Sequence, residues 1–244
     1  MPLRDHFRPP LSDRREWGGL CCGWPAMMLV ELNRHLPQKY SGGPRLFSGG
    51  STAESDIPFY DADESDSPPL TSDSERIPTN VWQPPHPTLS VKTDFPVPFV
   101  YELRIYNHSY GRRMVAAIEI VSPPNKDRPV DRLAFVARCA ALLQQRVSVT
   151  IIDIVTNHSG NLYHDLLEFI GLTDPSLGKE PPSLYAVTVR PIKQGRDWLL
   201  ESWAQALTIG QSLPTMPLWP AENLAVPLHL EEIYEETCRV LRIP

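Results

Sequence analysis

Residues 113–156 read RMVAAIEIVSPPNKDRPVDRLAFVARCAALLQQRVSVTIIDIVT, and this stretch decides the fold class. RMVAAIEIVS (113–122) is a strand-like apolar run, and SPPNKDRP ends it. VDRLAFVARCAALLQQ (130–145) is rich in alanine and leucine and has no internal proline or glycine, which predicts a helix. Leu133, Phe135, Val136, Ala140, Leu142 and Leu143 cover most of its circumference, so the helix is expected to be largely buried. VSVTIIDIVT (147–156) is β-branched and reads as a central strand. Strand, helix and strand in this order predict a right-handed crossover between parallel neighbours in a mixed sheet.

The flanking segments extend this unit. FVYELRIYN (99–107) is the expected hairpin partner of 113–122 across HSYGR. PRLFSGG and AESDIPFYD predict two short strands about a Gly-Gly turn. PAMMLVELNRHL (25–36) predicts the first helix, with Pro25 at its first position and Pro37 ending it. Downstream come a short helix, LYHDLLEFIG, and a strand, LYAVTVRPI. A C-terminal extension over 210–244 follows, proline-rich at first and ending in the helix EEIYEETCRVLRI. The whole predicts a single α/β domain over 1–244, a mixed β-sheet core flanked by helices. Residues 61–96 form a long acidic, Pro/Ser-rich insertion, expected as a mobile loop, in which Pro84, Pro85 and Pro87 favour polyproline II, either as a stiff crossing that pins Trp82 to the core or as a ligand for a partner's aromatic groove.

The chain has 244 residues and a net charge of −6, which argues against a strongly basic nucleic-acid binder. The charge alternates along the chain: +3 over 1–50, −7 over 51–98, +4 over 99–150 and −6 over 151–244. Cys21, Cys22, Cys139 and Cys238 form no CxxC and suit a reducing compartment. The N-terminus lacks a signal-peptide core, and no apolar run near it approaches the ~20 residues that cross a bilayer, so a soluble, cytoplasmic protein is expected. No GxSxG, P-loop or dinucleotide fingerprint occurs. His158 and His164 are spaced for neither one helical face nor a standard zinc motif.

Three residues can carry chemistry. Asp56 sits in a predicted strand, Glu119 lies within the apolar strand AAIEIVS, and Lys126 follows in the loop. Pleat alternation puts Val115, Ala117, Glu119 and Val121 on one face. A carboxylate there must be paired or must bind a cation. Asp56 and Glu119 from adjacent strands would offer oxygen ligands to Mg²⁺ or Mn²⁺, which activates water against a phosphodiester. Lys126 would stabilise the charge that develops. The other reading of Glu119 is an ion pair with Arg104, Arg113 or Lys126 that only orders the sheet. Arg112, Arg113, Arg128 and Arg132 belong to the basic block and could position phosphates.

AAIEIVSPPNKDRP and the helix and strand after it resemble the bacterial family called domain of unknown function 4058. The opening MPLRDHFRPPL, the LYAVTVRPI segment and the closing LPTMPLWP…VPLHLEEIYEETCRVLRI also look like one branch of it. That family is similar to the Uma-type putative endonucleases of the PD-(D/E)XK restriction-endonuclease-like superfamily. The resemblance implies an endonuclease-like core, with Asp56 as the first acid and Glu119 as the second. Val121 stands where the superfamily lysine is expected, and Ser55 where a proline usually precedes the first aspartate. Lys126, or Arg138 on the following helix, would supply the cation from a migrated position, although Arg138 also suits an ordinary helix salt bridge. Asp153 matches a family acid at the end of its strand. Two functions follow as expectations: a Mg²⁺-dependent nuclease acting on nucleic acid, or an inactive binding or scaffold module with a protein partner.

Overall fold

A computed structural model describes residues 2–37, 40–42, 45–47, 54–62, 83–93 and 112–244. The elements are α1 (Trp17–His35), β1 (Tyr40–Gly42), β2 (Arg45–Phe47), β3 (Glu54–Ala62), β4 (Leu89–Thr93), β5 (Arg112–Ile120), α2 (Pro123–Asp127), α3 (Pro129–Gln144), β6 (Ser148–Asp153), α4 (Leu162–Phe169), β7 (Tyr185–Gln194), β8 (Asp197–Ala206), β9 (Thr215–Ala221), β10 (Leu224–His229) and α5 (Leu230–Val240). The protein is α/β. Its main sheet runs β1–β3–β5–β6–β7–β8–β4, with β2 pairing β3, and β9 and β10 form a separate two-stranded sheet. Among the described strands only β5 and β6 pair in parallel, joined by the predicted crossover through α2 and α3. The expected hairpin strand at 99–107 and most of the acidic insertion lie outside the described residues.

Both faces of β5 and β6 are covered, which explains their near-continuous apolar runs. Ala116, Ile118, Ile120 and Ile152 pack with Trp24, Met28 and Leu32 of α1 and with Ile233 and Tyr234 of α5. Ala117, Val121, Val149 and Ile151 pack with Phe135, Val136, Cys139 and Leu143 of α3 and with Leu162 and Leu166 of α4. The alternation slips at Val115, which packs on the α1 side together with Ala116. There β3 pairs Phe59 with Ala116 and then Tyr60 with Met114, leaving Val115 as a bulge. Val115 therefore does not share the face of Ala117, as uninterrupted alternation predicts.

Helix α1 begins eight residues before the expected start and runs through Pro25. A mid-helix proline costs about 3 kcal/mol. Here it belongs to the buried stripe Leu20, Cys21, Trp24, Pro25, Met28 and Leu32, whose burial offsets that cost. Helix α3 is buried on one side only: Leu133 is 55% exposed and Val130 65%, because sheet and α4 meet the opposite stripe. Residues 89–93 of the supposed loop form the edge strand β4 on β8. Strand β8 and the β9–β10 hairpin are additions to the predicted order.

The N-terminal arm is ordered. Leu3 N–H donates to Gln211 at 2.8 Å, and Gly210 N–H donates to Leu3 at 2.9 Å. His6 Nε2 lies 2.5 Å from the Tyr234 hydroxyl on α5. Burial, helped by nearby Arg4, lowers the His6 pKa from 6.5 to about 4. The neutral ring is therefore favoured by folding. Its contribution is complete above pH 6.5 and is lost as pH falls through that value towards 4. Urea midpoints of wild type and His6→Gln should accordingly differ most at pH 7 and converge towards pH 4. Trp24 is wholly buried, so Trp24→Ala should lower unfolding free energy by about 3–5 kcal/mol. Val30→Ala on the exposed side of α1 should stay within about 0.5 kcal/mol in the same urea titration.

Candidate functional site

The segment after β5 is built to turn a lysine inward. Ser122 N–H and Oγ both donate to Asn125 Oδ1 at 2.8 Å, while Asn125 N–H returns to the Ser122 carbonyl at 3.0 Å. Pro123 and Pro124 occupy the first turn of α2, where a missing N–H is harmless. One turn later Lys126 is buried, with its side chain 1% exposed. Its ammonium lies 2.9 Å from Asp153 Oδ2, outside ideal hydrogen-bond geometry, and donates to the Ser183 carbonyl at 3.1 Å. Asp153 Oδ1 accepts from Val155 N–H at 3.0 Å. Burial pushes the Asp153 carboxyl up to about 6, against the downward pull of Lys126. The same enclosure raises the Tyr185 hydroxyl well above its ordinary range, chiefly by desolvation and then through Asp153.

Glu119 faces α3 between Ala117 and Val121, and its side chain is 2% exposed. Arg138 reaches it from the helix: Nη2 donates to Oε2 at 2.8 Å, and Nε donates to Oε1 at 3.4 Å. The guanidinium also lies 5.2 Å from the centroid of the Phe135 ring and remains 26% exposed. Both carboxylate oxygens are thus engaged by one cation, in the fork geometry that arginine favours.

The expected constellation is divided between two ion pairs. Glu119 goes to Arg138, and Lys126 goes to Asp153. The β3–β5 register pairs Ile57 with Ile118, and one further step sets Asp56 at the position opposite Glu119. Arg112 and Arg113 begin β5, six or seven residues from Glu119, roughly 20 Å along the strand. Arg128 is exposed and pairs with Asp131 at 3.2 Å. Arg132 pairs with Asp165 at 2.6 Å and lies against Gly160, where a Cβ would collide with the guanidinium. His158 stands 3.7 Å from Asp127.

As it stands, Glu119 does not offer oxygens to a divalent cation. Hard cations need several free oxygen ligands, and Glu119 has both oxygens on a guanidinium. Among the described residues, no group of three or more histidine, cysteine, aspartate or glutamate side chains could hold a metal. No helix among them is long and apolar enough to cross a membrane. No protein family, curated protein or solved structure matched the chain in the comparisons made.

Reading residues alone missed Asp153 as the partner of Lys126. The available signal was two opposite charges, each at the edge of an apolar run. Lys126→Met should destabilise the protein by about 3–5 kcal/mol, because it strands a buried carboxylate. It should also drive Asp153 still higher. Lys126→Met combined with Asp153→Leu should recover most of that loss in chemical denaturation. A near-neutral single variant would show the pair to be open to water.

Proposed function

We propose that the chain is a binding module on an endonuclease-like core, in which the acid site is retained in position but not in chemistry. The single observation that carries this reading is the engagement of both Glu119 oxygens by Arg138. The commitment of Lys126 to Asp153 supports it, because the cation assigned to charge stabilisation is already neutralised. Nucleic acid is the partner class that the resemblance implies, and exposed Arg128 would exchange its surface pair with Asp131 for a phosphate; a protein partner is the alternative. Affinity should be modest and salt-sensitive for a chain of net charge −6.

A second reading, Mg²⁺- or Mn²⁺-dependent cleavage of a phosphodiester, is favoured by the register that sets Asp56 opposite Glu119. It requires Arg138 to leave the carboxylate. The two readings separate in one experiment. Single- and double-stranded DNA and RNA are incubated with wild type and Glu119→Gln in Mg²⁺ and in Mn²⁺, with metal binding followed by calorimetry. The module reading expects no cleavage above buffer and no metal heat from either protein. Metal-dependent cleavage by wild type, lost in Glu119→Gln, would overturn it and establish the second reading.

A further inference from the structure

At the opposite end of the main sheet lies a cavity of about 240 Å³, between the sheet and the β9–β10 hairpin. Val115 and Ser148, at its wall, stand four and five residues before Glu119 and Asp153, about 13–17 Å along their strands. Two guanidinium–indole stacks line it. Arg190 Cζ sits 3.4 Å from the Trp219 ring centroid, and Arg146 Cζ sits 4.7 Å from that of Trp198.

The two arginines are held differently. Arg190 is fixed: Nε donates to Glu201 at 2.8 Å, and Nη1 donates to the Glu222 carbonyl at 2.9 Å. Arg146 is exposed, and no carboxylate among the described residues pairs with it. Its backbone is also unusual. Helix α3 ends in a Schellman arrangement, with Val147 N–H on the Leu142 carbonyl at 3.0 Å and Arg146 N–H on the Leu143 carbonyl at 2.9 Å. That motif wants glycine at the left-handed position, yet Arg146 occupies it with φ of 66°. Folding would be served better by glycine. The side chain present instead lays a free cation on an indole at the mouth of a cavity.

We infer that this cavity binds one nucleotide unit, its base stacked on the Arg146–Trp198 platform and its phosphate drawn by the Arg146 charge. Planar bases stack on indole and guanidinium faces irrespective of sequence, and this is how unpaired strands are held. The volume is below the roughly 300–1,000 Å³ of sites for drug-sized ligands, which suits one ring rather than an extended cofactor. Lys193 and Arg196, at the β7–β8 turn beside Trp198, extend the positive charge along the path of a strand. Among the described residues that line the cavity, Glu222 alone bears a carboxylate, and it opposes the phosphate. This site is separate from the Glu119 pair, so its test stands whichever reading of that pair is right.

The test uses the full chain with oligo(dT), oligo(U), a DNA duplex, AMP and inorganic phosphate, read by tryptophan quenching and fluorescence anisotropy. Unpaired strands are expected to bind with salt-sensitive affinity, and duplex more weakly. Arg146→Gly should weaken binding by at least about fivefold, the low end of what one base stack supplies, without lowering the urea midpoint. Trp198→Leu should weaken it similarly, and Glu222→Gln should strengthen it. AMP binding that is lost in Arg146→Gly would mark a free nucleotide as the ligand; binding of strands alone would mark nucleic acid. Unchanged binding by Arg146→Gly, phosphate binding as well as AMP, or no binding by any probe would each overturn the inference.

Discussion

A carboxylate and an ammonium lie inside the layer between the main sheet and helices α2 and α3, and each must find an opposite charge within hydrogen-bond reach. An ion buried alone costs several kcal/mol after all relaxation. Glu119 on β5 is therefore viable only if α3 lies along the sheet so that position 138 falls over it. Lys126 is viable only if α2 turns it beneath the end of β6, where Asp153 waits. These two requirements fix the axial placement of both helices on the strands more tightly than apolar packing alone. Phe135, Cys139 and Leu143 then seal the same seam with side chains that tolerate small slips.

The same pairing bears on function. An acid site that recruits a metal needs its oxygens free, or held by groups that yield cheaply. A guanidinium on both oxygens of Glu119 does neither while it remains in place. Arg138 is partly exposed, and the choice between module and nuclease comes down to whether this side chain stays on Glu119. The stacked arginines at the far end of the sheet place a binding function away from that seam, with Arg146 exposed and Arg190 tied to Glu201.

Where local pattern and tertiary packing agree, the fold was legible. The alanine- and leucine-rich α3 falls within one residue of its expected limits, and the β-branched run of β6 starts one residue late and ends three residues early. Packing overrode local rules elsewhere. Pro25 marks a helix start by propensity, yet the buried stripe on both sides of it carries α1 through. Pro217 and Pro227 argue against strands, yet they face each other in a two-stranded sheet, where each strand has a free edge for a missing N–H. In β8, Glu201 interrupts the apolar pattern because its partner, Arg190, lies on the neighbouring strand. For the site, burial of Glu119 and the need for a counter-charge followed from its apolar neighbours. Which cation would serve did not, because the crossing of α3 over β5 depends on α2 and its capped turn.

The central claim is that Glu119 and Arg138 form a closed pair. A double-mutant cycle with Glu119→Gln and Arg138→Met, by urea denaturation with and without Mg²⁺, tests it most directly. The account predicts a coupling energy of about 1–3 kcal/mol that Mg²⁺ leaves unchanged. Coupling near zero, or stabilisation by Mg²⁺ of wild type but not of Glu119→Gln, would show the carboxylate free to take a metal and would contradict it.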